Sequence, residues 1–117
     1  MTVEAEMVRA LGVLVEGRVY PDTPEEGAKL PLIVYQQVGG DPMNFLEGVP
    51  DKKNGRFQIE VWAARRTEAS ALARQAHDII CTDTVLQGTV LLGMLATYDD
   101  VLNWYGTQQD FSIWFSN

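Results

Sequence analysis

Hydrophobic spacing divides the chain into blocks of two different periods. At the start, Val3, Met7, Ala10, Leu11 and Leu14 recur every three or four residues, and Val8 and Val15 widen the stripe. That is the pattern of a helix that buries one face. Thr2 stands where an N-cap belongs, Glu4 and Glu6 suit the positive end of the helix dipole, and Gly17 suits the stop. The pattern predicts a helix over about residues 3–16. The following "RVYPDTPEEGAKLP" is punctuated by Pro21, Pro24, Gly27 and Pro31, which predicts a short strand and then an irregular connection.

The period then falls to two. "LPLIVYQQVGG" is a strand bounded by Pro31 and by Gly39-Gly40, with Leu32, Val34, Gln36 and Val38 on one face and Ile33, Tyr35 and Gln37 on the other. In "RFQIEVWAARRTEASALARQAHDII", residues 56–80, Phe57, Ile59, Val61 and Ala63 alternate with Arg56, Gln58, Glu60 and Trp62. This strand has one core face and one mixed face. After two arginines Thr67 caps a second helix, whose buried stripe is Ala69, Leu72, Ala73, Ala76, Ile79 and Ile80. "VLLGMLATYDD" and "QQDFSIWFSN" complete the chain as two strands, and residues 99–107 form a hairpin connection or irregular strand ends. In the last strand Phe111, Ile113 and Phe115 point one way, and Ser112, Trp114 and Ser116 the other. The order predicts one α+β domain over residues 1–117. It has two layers: a mostly antiparallel sheet of about four to five strands, with two helices packed on one face.

Composition narrows the function classes. The 117 residues are 46% hydrophobic and 21% charged, which suits one globular domain with a real core. A formal charge of −7 and a pI near 4.5 repel nucleic acid at long range. The nearest approach to a basic patch, Lys52-Lys53 with Arg56, is a solvated loop. The single cysteine, Cys81, cannot form an internal disulfide and sits beside Ile79 and Ile80 as a small apolar residue. No basic segment precedes an apolar run and no stretch is long enough to span a bilayer, so the expectation is a protein of the cytoplasm without a membrane partner.

No catalytic pattern emerges. The joint "WAARRTEAS" lies at a helix N-terminus and carries Arg65 and Arg66, but it lacks the glycines of phosphate loops, and Glu68 competes with an anion there. The joint reads as scaffold. His77 and Cys81 supply only two metal ligands, and no G-x-S-x-G motif is present. Asp99 and Asp100, with Asp110 nearby in sequence, are better explained as a soluble hairpin end than as a cation site or paired carboxylates. No catalytic residue, cofactor or metal is assigned.

Two features point to assembly instead. The connection from Gly39 to Gly55 has no strong periodicity, and one that long in a compact domain is disordered or functional. Tyr35, Trp62 and Trp114 fall on the strand face opposite the predicted core. Either a loop folds over these rings, or they form an interface. Both readings favour an interaction protein over an enzyme.

The order of parts resembles a family. "GRVYPDTPEEGAKLPLIVYQQVGG" resembles the "r-i-y-p … lPyivyq" signature of small proteins of tailed phages and prophages. The strand ending in Trp62 and its alanine-rich helix resemble the next block, and "YDD … QQDFSIWF" the last. The matching residues are Tyr20, Pro21, Pro31, Tyr35, Phe57, Ile59, Val61, Trp62 and Trp114. The family is that of the tail-completion proteins, also described as tail terminators or minor tail proteins, of long-tailed phages. The resemblance implies a structural protein that assembles as a ring, a hexamer, at the head-proximal end of the tail tube. Its partners would be further copies of itself, the tail tube protein and the head connector protein, with DNA passing through unbound. It would act in the virion tail after assembly in the host cytoplasm. Interface candidates are Tyr35, Trp62 and Trp114 with Asn44, Phe45, Leu46, Lys52 and Lys53 of the loop region; Asp99 and Asp100 are candidates for an acidic lumen. The alternatives are a head–tail connector of the same neck region, or a small bacterial α+β ligand-binding domain with its pocket at Arg65-Arg66 or Asp99-Asp100.

Overall fold

The computed structural model describes residues 1–41 and 52–116. Helix α1 spans Val3–Leu11 and tightens into a 3₁₀ turn over Gly12–Leu14. The Thr2 hydroxyl accepts from the Ala5 amide at 3.1 Å, and the chain leaves the helix through left-handed Glu16 and Gly17. The expected cap and stop are both found. Strands β1 (Val19–Pro21), β2 (Leu32–Gln37) and β3 (Lys53–Ala63) follow, then helix α2 (Arg66–Thr82), then β4 (Thr89–Val90), β5 (Leu95–Asp99) and β6 (Trp104–Phe115).

The six strands form one sheet in the order β1-β2-β3-β6-β4, with β5 also paired to β6. Among the described residues only β1 and β2 pair in parallel, and the other pairs are antiparallel. The class is α+β as expected, with more strands than four or five. "VLLGMLATYDD" does not run as one strand. It divides around Gly93 into β4, opposite Phe111 and Ser112, and β5, opposite residues 104–108 of the same strand. Two short strands thus share one edge of the long β6, whose other edge is taken by β3.

Register decides which side chains meet. Ile33 lies opposite Val61, Tyr35 opposite Ile59, and Phe57 opposite Phe111, so these six share a face. They pack against Met7 and Leu11 of α1 and Ala73, Ala76 and Ile80 of α2 in one buried cluster. Each large apolar side chain so enclosed contributes about 1.5–3 kcal/mol from burial. The alanines of α2 let that helix sit close to the sheet.

This register corrects the assignment of Tyr35 to the exposed face. Tyr35 is 7% exposed and belongs to the core, and burial raises its phenol pKa. Strand β2, between β1 and β3, is buried on both faces from Leu32 through Tyr35. A strand enclosed on both faces reads as an unbroken apolar run, and alternation then cannot say which half faces the helices. A second correction concerns α2. It starts at Arg66 with extended Arg65 as its N-cap and no side-chain cap bond, rather than being capped by Thr67.

Candidate assembly interface

The expected aromatic patch is not contiguous. With Tyr35 in the core, two tryptophans remain on the face away from the helices. Trp62 lies opposite Gly106 and Trp114 opposite Asn54. The eight-residue step between 106 and 114 on β6 separates them by about 27 Å. Trp62 is half-buried. Its ring crosses Gly106, where a Cβ would come within 2.6 Å of ring carbons, and it packs 6.1 Å from Trp104. Trp114 is 41% exposed. Lys52 and Lys53 are exposed at the start of β3; Asn44, Phe45 and Leu46 lie outside the described residues.

Asp99 and Asp100 have different surroundings. The Asp99 carboxylate accepts from the amides of Val101 at 2.9 Å and Leu102 at 3.0 Å, closing the β5–β6 turn, while Asp100 is exposed on that turn. Asp110 belongs to another site, six residues along β6 and about 20 Å from the start of that strand. It is buried against Arg56, whose Nε donates to it at 2.8 Å, and its second carboxylate oxygen is enclosed without a partner. On the same face burial pushes the Glu60 carboxyl up from its ordinary pKa, partly offset by hydrogen bonds from Gln58 and Trp62.

The arginine joint is occupied. Arg66 donates through Nη1 to the Gly106 carbonyl at 2.6 Å and through Nη2 to the Thr97 carbonyl at 2.5 Å, and its guanidinium lies 5.4 Å from the Tyr105 ring centroid. It therefore ties the start of α2 to the β5–β6 hairpin. His77 lies 3.9 Å from the Cys81 sulfur and stacks near Phe111, with centroids 5.9 Å apart. Burial raises the Cys81 thiol pKa. Among the described residues no group of three or more His, Cys, Asp or Glu could hold a metal ion.

A run of exposed apolar side chains lies where the spacing predicts an ordinary strand. Residues 84–98 contain no charged side chain. Val90, Leu91, Leu92, Met94, Leu95 and Tyr98 are all exposed, Leu95 to 60%. Among the described residues they form the outer edge of the sheet, since β4 and β5 pair there only with β6. Exposed edges are normally blunted by charge, proline or shortness. The opposite edge follows that rule: β1 has three residues and ends in Pro21, which has no N–H to donate. The β4–β5 edge has no proline and no charge before Asp99, although β4 is only two residues long. The fifteen-residue stretch without charge was the available signal, and its apolar content made it look like core.

Comparison with known proteins then places the chain. The profile of the family described as Tail completion protein gp17 matches residues 6–116. The chain belongs to that family. It is a structural protein of phage tails, concerned with virion assembly. Among solved structures, this tail completion protein is similar in fold to a chain in the virion of a native gene transfer agent particle. The TM-score is 0.59 at 20% identity, covering 97% of this chain and 91% of that one. No curated protein matches the sequence.

Proposed function

We propose that this tail completion protein caps the head-proximal end of the tail tube and helps join tail to head, and that it does so as a ring of copies, six in number. The family supports a tail role, and the fold likeness to a chain in a virion particle is consistent with it. The observation that carries the ring is the exposed apolar β4–β5 edge. A ring subunit needs large lateral surfaces, and an apolar sheet edge left open in the isolated chain supplies one. The tail tube protein lies on one side of such a ring and the head connector on the other. DNA passes without specific binding, in keeping with the formal charge of −7.

Electron microscopy of lysates from phage lacking this gene tests the role. Free filled heads beside unjoined tails, with tails of uncontrolled length, are expected. Normally joined virions would remove the proposal.

A further inference from the structure

The turn between β5 and β6 is an apolar knob. Val101 is 84% exposed and Leu102 52%, yet the turn that carries them is well tied down. Asp99 caps both of their amides. The Tyr98 hydroxyl donates to Asn103 at 2.8 Å, the Tyr98 and Tyr105 rings pack with centroids 4.9 Å apart, and Arg66 holds both strands of the hairpin. Two aliphatic side chains displayed on a preorganised turn lose little further freedom on binding.

A matching hole lies at the other end of the sheet. Val3, Val85, Leu86, Ile113 and Trp114 line a cavity of about 100 Å³ with Lys52 at its side. That volume has room for roughly one branched aliphatic side chain, in a lining that is part apolar and part polar. Its charge opposes that of the knob. Asp100 adjoins Val101 on the turn, whereas Lys52 lines the cavity. The one carboxylate of the lining, Glu6, is paired with Arg9 at 2.6 Å. A chain cannot fill its own cavity with its own turn, because the ten-residue step along β6 from Trp104 to Trp114 holds them about 34 Å apart.

We infer that the Val101-Leu102 turn of one copy seats in the cavity of the next, with Asp100 facing Lys52. The inference rests on the ring reading and names the two surfaces that would meet. They are unlike surfaces, so the contact repeats head to tail and closes when the rotation permits. Asp100 then belongs to the junction between copies and not to a lumen.

Cross-linking in assembled particles tests the pairing. In a Cys81→Ala background, Leu102→Cys combined with Val85→Cys and a short bis-maleimide should give a covalent ladder ending at the ring size. Leu102→Cys combined with Lys29→Cys should remain monomeric. Joined particles without a ladder from the first pair would overturn this contact while leaving the tail-completion role standing. A dimer from Leu102→Cys alone would overturn it in favour of a turn-to-turn contact. Where the cysteine variants fail to assemble, charge exchange decides. Asp100→Lys and Lys52→Asp should each lower infectious titre by about tenfold or more, and the pair together should restore it. No recovery in the double variant would refute the contact.

Discussion

At the scale of single residues, Gly106 shows how a missing side chain places a large one. A Cβ at that position would lie 2.6 Å from the Trp62 ring and 2.6 Å from the Thr97 hydroxyl, so glycine leaves the room that the indole takes beside β6. Gly106→Ala should therefore destabilise the chain by about 1–3 kcal/mol through overpacking. The effect should appear as a lower urea midpoint at unchanged slope. A midpoint equal to that of the unsubstituted protein would mean that the ring has other room. The same scale explains the misplaced Tyr35. Its neighbours Leu32, Ile33 and Val34 are all buried, and an unbroken apolar run carries no information about which face meets the helices.

At the scale of elements, the period changes were legible. α1, β3 and α2 lie where helical or alternating spacing puts them, because each buries one stripe or one face against the same core; β2 lies where its apolar run puts it, and β6 starts earlier than its spacing indicates, at Trp104. The joint between β3 and α2 was legible only in part. Glycine content argued against a phosphate loop, but nothing local indicates that Arg66 reaches Thr97 and Gly106, thirty-one and forty residues away. Arg66→Ala should free the hairpin from the helix, since charge-assisted hydrogen bonds contribute about 1.5–3 kcal/mol each and part of that is lost to solvent here. Hydrogen exchange should accelerate for amides of residues 97–106 while those of the β2–β3 ladder keep their protection. Unchanged protection in the hairpin would show that strand pairing alone holds it.

At the scale of the whole molecule, the two edges of the sheet are unequal. β1 is short and ends in proline; β4 and β5 present an apolar rim without charge before Asp99. A lysine on that rim should separate folding from assembly. Leu95 is 60% exposed, so Leu95→Lys should change folding stability by no more than about 0.5 kcal/mol. In particles it should block tail joining, because a buried unpaired ammonium opposes the contact. Thermal unfolding of the purified variant and plaque counts together check this. Normal infectivity with intact folding would take the β4–β5 edge out of the ring interface.

The sequence by itself determined the helices, the long strands, the α+β class and the absence of a recognisable catalytic motif, since each follows from local spacing and residue chemistry. Its resemblance to tail-completion proteins also stands. Only the tertiary structure decided that Tyr35 is core, that Trp62 and Trp114 are far apart, and that an uncharged stretch is a sheet edge and not an interior strand. Those outcomes depend on which strands become neighbours. Pairing across tens of residues is set by the collective burial of one face, and no short window of sequence records which apolar run ends up at the rim.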